Sequence, residues 1–172
     1  MSTTDYTVRQ ATVEDIDATL AMKLAAWREA YGDQRPESFF ALQESRHERQ
    51  VDWWTRGLAA GAELWIATAP DGRIVGCAGG APVLDEDATT GASVELQMLY
   101  VLAEAYGTGL GERLMRAAIG NLPAALWVLE HNPRAQAFYR KHGFDFDGTR
   151  ELLADEWEGL YELRMVRPGP RG

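Results

Sequence analysis

The chain has 172 residues, of which 46% are hydrophobic and 25% charged, and this composition predicts a compact globular domain with a buried core. Its net charge of −9 and isoelectric point near 4.8 argue against the basic surface that binds phosphates, so we expect no nucleic-acid partner. Cys77 is the single cysteine, which excludes an internal disulfide and argues against a thiolate zinc site. We therefore expect no metal.

No part of the sequence is typical of a membrane protein. The beginning of the chain carries acidic residues from Asp5 onwards and no continuous apolar run, so it predicts neither a signal peptide nor an anchor. No segment approaches the roughly 18 apolar residues of a membrane span. We expect a cytoplasmic protein without a membrane partner, formed by one domain over residues 1–167 and a flexible tail over 168–172.

The first half of the chain predicts a strand, two helical segments and a hairpin. Thr12 is expected to cap the first helix, with Asp15 as its capping-box partner. The second helical segment contains a predicted break at residues 43–46. In chain order, we expect a strand over 6–10, helices over 13–31 and 36–58, and hairpin strands over 63–68 and 74–80 around a turn at 70–73.

The second half predicts alternating strands and helices after an acidic loop at 85–91. The wholly apolar run at 126–129 is typical of a buried central strand, and Asn132 is expected to cap the helix that follows it. In chain order, we expect strands over 93–101 and 126–129, helices over 109–120 and 132–143, and two closing antiparallel strands over 144–150 and 160–166.

A loop with glycines at alternate positions joins the strand over 93–101 to the next helix. Gly107, Gly109 and Gly111 allow a ligand to approach the backbone, and the new helix presents free N–H groups that bind phosphate oxygens. The spacing excludes a Walker loop, which needs Lys at the position of Glu112. It also excludes a dinucleotide-binding fingerprint, which needs its third glycine at the same position. A strand-to-helix turn without a ligand is the alternative.

The segment over 126–144 combines a buried strand with a capped helix that ends at Gly143. On this helix Asn132, Ala135 or Gln136, and Tyr139 share one face, while Phe138 lies about 100° away and is expected to fill the core. For Tyr139 alone, ordinary amphipathic packing is the simpler interpretation.

Together the two segments resemble the GNAT superfamily of N-acetyltransferases over about 93–145. The helix motif is complete in Asn132, Ala135, Phe138, Tyr139, Gly143 and Phe144, and the glycine loop matches as Tyr106-Gly-Thr-Gly-Leu-Gly111. Tyr106 departs from the family, which usually has Gln or Arg at this position. The resemblance implies an α/β (α+β) fold with a central mixed, mostly antiparallel sheet of about seven strands flanked by helices.

The resemblance also implies an acetyl-CoA site. The backbone of the strand before the loop would pair with the pantetheine arm, the loop amides would hold the pyrophosphate, and the Asn132 amide would contact the pantetheine or acetyl region. The implied cofactor residues are Leu99, Tyr100, Val101, Tyr106, Gly107, Thr108, Gly109, Leu110, Gly111, Glu112 and Asn132.

Two residues are implied to be catalytic. Tyr139 matches the residue that protonates the leaving thiolate, and Glu95 lies on the central strand where several family members carry a general base. A structural role for Glu95 is an equal alternative. Packing or charge pairing is the favoured interpretation for His47, His131 and His142. Cys77 is interpreted as a buried hydrophobic residue and not as a nucleophile, so we expect direct transfer in a ternary complex.

The acceptor is expected to be a small-molecule or peptide amine, because aromatic and acidic residues occupy the segments that shape this site in the family. These residues are Trp27, Tyr31, Phe39, Phe40, Asp85, Glu86, Asp87, Asp155, Glu156, Trp157 and Glu158, each of which has an equal alternative as core or surface. A non-catalytic acyl-CoA sensor on the same scaffold and an enzyme with a longer acyl donor are the rival hypotheses. A homodimer is compatible with the family.

Overall fold

The structure, a computed structural model, describes residues 5–84 and 90–170. Short 3-10 turns flank several of the regular elements. In chain order these elements are β1 (Thr7–Gln10), α1 (Ile16–Tyr31), α2 (Glu37–Ser45), α3 (His47–Ala59), β2 (Trp65–Thr68), β3 (Ile74–Pro82), β4 (Val94–Val101), α4 (Leu110–Ile119), β5 (Ala124–Leu129), α5 (Pro133–Lys141), β6 (Asp145–Leu152) and β7 (Tyr161–Arg167).

The strands form one seven-stranded sheet in the order β1-β2-β3-β4-β5-β7-β6. β4 and β5 pair in parallel at Val94 with Ala124 and Glu95 with Ala125, whereas β1–β2, β2–β3, β5–β7 and β6–β7 are antiparallel. The predicted fold class, a mixed and mostly antiparallel sheet flanked by helices, is confirmed.

The chain divides into two compact units, both of which include parts of β3 and β4. Among the described residues, the first unit lies within Met1–Gly79 and Met98–Ala118, and the second within Gly80–Gln97 and Ile119–Gly172. The single domain over 1–167 stays a prediction from the sequence, and the predicted tail is described only as far as residue 170.

In the first unit the predicted helices are present, although residues 13–15 form a 3-10 turn and α1 itself begins at Ile16. The Thr12 N–H donates to the Asp15 carboxylate at 2.8 Å, which completes the capping box ahead of α1. The predicted break in the second helical segment falls at Arg46, between α2 and α3. Helix α4 packs closely on the sheet because Gly76 has no side chain: a Cβ there would lie 2.8 Å from the Leu114 side chain.

In the second unit β5 is the buried strand that its apolar sequence predicts. Asn132 caps α5 as expected, with its Oδ1 accepting from the Ala135 N–H at 3.1 Å. Gly143 follows the helix with φ +93°, a left-handed conformation that favours glycine. In residues 5–84 and 90–170, no helix is long and apolar enough to cross a membrane.

Candidate cofactor and active site

The glycine loop before α4 has the open backbone that a phosphate group needs. Gly107 and Gly109 have φ values of +74° and +84°, and a Cβ built at either position meets no atom within 4 Å. The N–H groups of Gly109, Gly111 and Glu112 have no hydrogen-bond acceptor within the described part of the chain. These donors, at the positive end of the α4 dipole, suit an anion.

The side chains of this loop are engaged in supporting it. The Thr108 hydroxyl donates to the Ala105 carbonyl at 2.6 Å and accepts from the Leu110 N–H at 3.4 Å. Because the hydroxyl proton is already used, Thr108 would donate to a ligand through its backbone N–H. Arg116 pairs with the Glu112 carboxylate at 2.8 Å. This ion pair offsets the negative charge that Glu112 brings to the first turn of the helix.

Two contacts that the sequence did not predict hold the segment just before the loop. The Ala103 N–H donates to the Glu29 carboxylate of α1 at 2.7 Å. Arg73, in the turn between β2 and β3, pairs with Glu104 at 3.0 Å and with Asp71 at 2.8 Å. The loop therefore starts from a segment that is fixed by α1 and by the β2–β3 turn.

The end of β4 leads into this segment, and its residues alternate between two apolar clusters. Leu99 and Val101 pack with the cluster that contains Leu110 and Leu114 of α4. Tyr100 packs with the other cluster, where its ring lies 6.0 Å from that of Trp27. All three β4 residues are half-buried.

The exit of β5 is tied to α5 by Gln136, a contact that sequence analysis missed. Its Nε2 donates to the Leu129 carbonyl at 3.0 Å and to the Glu130 carbonyl at 2.8 Å. Together with the Asn132 cap, this side chain fixes the start of the helix that carries Tyr139.

Tyr139, not Phe138, is the more buried ring of α5. The Tyr139 residue is 9% exposed, and its ring lies 5.4 Å from that of Phe138 and 5.8 Å from that of Phe144. Phe138 is half-buried and lies 4.6 Å from the His142 ring. The expectation that Phe138 fills the core is met only in part, because its side chain stays half-buried. The burial of Tyr139 fits the packing interpretation, since the chain turns at Gly143 and brings Phe144 against this ring.

Glu95 lies half-buried on β4 in the second unit, and a second carboxylate that the sequence did not single out accompanies it. Burial, followed by the nearby Glu151 and Glu95 carboxylates, raises the pKa of Glu162. Glu162 stands directly opposite Glu151 in the β6–β7 pair. A half-buried carboxyl with a raised pKa is suited to proton transfer.

Cys77 and His47 have the structural settings that their sequence context predicts. Cys77 is fully buried, and burial raises the pKa of its thiol to about 12, so little thiolate is available for nucleophilic attack. His47 Nε2 lies 2.6 Å from the Asp17 carboxylate at the surface.

The residues proposed to shape the acceptor site separate into core and accessible groups. Phe39 and Phe40 are 4% and 2% exposed, so they belong to the core, whereas Trp27 and Tyr31 are half-buried. The Asp85-Glu86-Asp87 triplet lies outside the described residues. Asp155, in the turn before β7, has φ +53°, an uncommon conformation for a side-chain-bearing residue.

Comparisons with known proteins agree with this geometry. The family described as "Acetyltransferase (GNAT) domain" matches residues 60–145, half of the 172-residue chain. An uncharacterized N-acetyltransferase of Mycobacterium tuberculosis is 42% identical over 86 residues, which cover 46% of this chain and 51% of that protein. This chain thus spans about half the length of that relative. A probable N-acetyltransferase of the same species is 26% identical over 175 residues, covering 99% of this chain and 95% of that protein.

The fold also has counterparts among solved structures. The crystal structure of the PaiA N-acetyltransferase from Thermoplasma acidophilum, in complex with coenzyme A, superimposes with a TM-score of 0.73 at 19% identity. The match covers 95% of this chain and 99% of that one. At this identity the likeness shows the fold.

Proposed function

Because the chain belongs to the GNAT acetyltransferase family, we propose that it is an N-acetyltransferase that moves the acetyl group of acetyl-CoA to a primary amine of a small molecule or peptide. The observation that carries the proposal is the glycine loop, where N–H groups without an acceptor in the described chain open α4 beside two glycines with open side-chain space. This arrangement fits a pyrophosphate. The coenzyme A complex of the T. acidophilum relative supports the same ligand.

The proposed cofactor contacts fall on both segments of the family motif. The backbone amides of Gly107–Gly111 and Glu112 hold the pyrophosphate. Tyr106 occupies the position where the family usually has Gln or Arg, so the backbone amides take over the contact that this polar side chain would make. The backbone of Leu99, Tyr100 and Val101 pairs with the pantetheine arm. At Asn132 the cap uses Oδ1, and the amide nitrogen of the same side chain is the group proposed to contact the pantetheine or acetyl region.

The proposed reaction is direct transfer. The amine nitrogen attacks the thioester carbonyl carbon, a C–N bond forms, and the C–S bond breaks. Glu95 takes the proton that the amine loses, directly or through water, and the Tyr139 hydroxyl gives a proton to the leaving thiolate. A strand amide near Leu99 stabilises the developing oxyanion. The burial of Cys77 supports this route over an acetyl-cysteine intermediate, because its thiol is held in the neutral form.

A coenzyme A release assay against amines, amino acids, polyamines, aminoglycosides and peptides tests the proposal. We expect acetyl-CoA to raise the melting temperature and at least one amine to release coenzyme A with formation of its N-acetyl product. Binding of acetyl-CoA without turnover of any amine would favour the non-catalytic acyl-CoA sensor. Turnover only with a longer acyl-CoA would favour an enzyme that uses a longer acyl donor. The cytoplasmic location and the homodimer stay predictions.

A further inference from the structure

Lys23 of α1 has an unusual setting for a lysine side chain. Its Nζ lies over two indole rings, 4.5 Å from the centroid of Trp27 and 5.5 Å from that of Trp54. The residue is half-buried, and its neighbours Met22 and Ala26 belong to the apolar cluster that includes Cys77. The residue therefore keeps part of its surface accessible, while its ammonium lies in an aromatic and apolar surrounding.

No negative charge in the described part of the chain accompanies this ammonium. In residues 5–84 and 90–170, Nζ has no carboxylate partner and no hydrogen-bond acceptor. Arg28, slightly further along α1, pairs with both Glu37 and Glu44. The contrast is informative because the chain holds 26 acidic residues against 17 basic ones, so carboxylates are not scarce.

The absence of a counter-charge has an energetic consequence. Burial lowers the pKa of Lys23, with Cys77 acting weakly in the opposite direction, which means that the charged form is less well solvated here than in water. Indole faces attract a cation and orient it, but they supply no net negative charge. A carboxylate that reached Nζ would gain a charge-assisted hydrogen bond in a site of reduced solvation.

Within the first unit, the position of Lys23 connects this cation to the β4 residues that are proposed to bind the pantetheine arm. Its neighbour Trp27 lies 6.0 Å from Tyr100, ring to ring. Tyr100 belongs to the segment of β4 whose backbone is proposed to pair with the pantetheine arm. Lys23 and Trp27 therefore line the side of β4 to which the Tyr100 side chain points.

We propose that the Lys23 ammonium binds a carboxylate of the acceptor, so that the enzyme acetylates amines that also carry a carboxylate, as amino acids and short peptides do. This proposal rests on the proposed acetyltransferase function and narrows its substrate class. Trp27 and Trp54 hold the ammonium in place, and the acceptor supplies the charge that the described chain does not.

The first test compares each amino acid or dipeptide with its own carboxamide in the coenzyme A release assay. For the wild type we expect kcat/KM to be roughly 10- to 100-fold higher for the carboxylate form, the range for a hydrogen bond between charged groups. Lys23→Met should lose this preference, so that kcat/KM for the carboxylate form falls to the value for its carboxamide. Lys23→Arg keeps a positive charge and should retain part of the preference.

The sequence offers a matched control, because Lys23 and Lys141 are its only lysines. Lys141 is exposed at the end of α5, so Lys141→Met removes the same charge elsewhere and should keep the full carboxylate preference. Equal kcat/KM for carboxylate and carboxamide in the wild type would overturn the proposal, as would an undiminished preference in Lys23→Met.

A second test detects binding at Lys23 directly and needs no substitution of Lys23. In protein labelled with ¹³C at lysine Cε, Lys141→Met assigns the two resonances. With coenzyme A present, adding an amino acid should shift the Lys23 resonance, and adding its carboxamide should not. An unshifted Lys23 resonance with amino acids that are turned over would refute the anchor while the acetyltransferase function stands. Failure of every amine in the release assay would instead refute the function.

Discussion

The Gly109→Val substitution is expected to separate cofactor binding from folding. Gly109 has φ +84° and no atom within 4 Å of a built Cβ, so a side chain there creates backbone strain while its Cβ meets no atom of the described chain. Such strain costs about 1–3 kcal/mol. In a protein of this size each kcal/mol lowers the melting temperature by about 2–4 °C, so we expect a decrease of roughly 2–12 °C.

Gly61→Val is the matched control. Gly61 also lies in the first unit, has φ +100° and has open side-chain space, but it follows α3 and is far along the chain from the glycine loop. Its strain should therefore lower the melting temperature by a similar amount. Any difference between the two variants in the response to acetyl-CoA then reports on the ligand and not on the backbone.

The assay is thermal unfolding with and without acetyl-CoA. At about 100 times its Kd, the ligand contributes about 2.7 kcal/mol, which raises the melting temperature by roughly 5–11 °C in a protein of this size. The wild type and Gly61→Val should show this increase, and Gly109→Val should lose it, because its side chain occupies the space proposed for the pyrophosphate. A full increase in Gly109→Val would refute the placement of the site.

Three further predictions concern the proposed proton transfers and one surface ion pair. Tyr139→Phe keeps the ring packing, so acetyl-CoA binding should persist while single-turnover acetyl transfer slows by roughly 10–10³-fold; wild-type chemistry would make Tyr139 a packing residue. Glu95→Gln should lower turnover by roughly 10²–10⁴-fold with recovery at high pH, and Glu162→Gln, measured in parallel, should show the smaller loss if Glu95 is the base. The Arg9 hydrogen bond lowers the pKa of Asp15 to about 2, so this carboxylate stabilises the fold above its ordinary pKa and the contribution disappears as pH falls through about 2. Asp15→Asn should therefore lower the free energy of unfolding by about 1–2 kcal/mol at pH 7 and have no effect near pH 1.5; an equal effect at both pH values would contradict this origin.

Sequence predicts this fold best where a few adjacent residues contain the whole interaction. The Thr12–Asp15 capping box and the Asn132 cap each connect atoms three residues apart, and both are present as predicted. The break near Arg46 was also visible in the local pattern. In each case the backbone groups at a helix end need partners, and the nearest side chains supply them.

Ring burial was harder to predict, because helical spacing orders side chains around an axis but does not say what covers each face. The spacing placed Tyr139 on the face of Asn132 and assigned Phe138 to the core. The partner that buries Tyr139 is Phe144, which comes after the turn at Gly143. Similarly, Phe39 is covered by a stacked contact with Trp27 of another helix. Neither partner is visible in the periodicity of the helix concerned.

The long-range contacts that support the glycine loop could not be predicted from the sequence, for a reason that follows from the composition of the loop. Glycines lose more conformational freedom on folding than any other residue, so a loop built from them is poorly fixed by its own chain. Part of its support therefore comes from distant residues: the Glu29 carboxylate holds Ala103 across 74 residues of sequence, and Arg73 holds Glu104 across 31. The glycines that let the backbone approach a phosphate therefore also make the loop depend on long-range contacts. No local sequence pattern predicts such contacts.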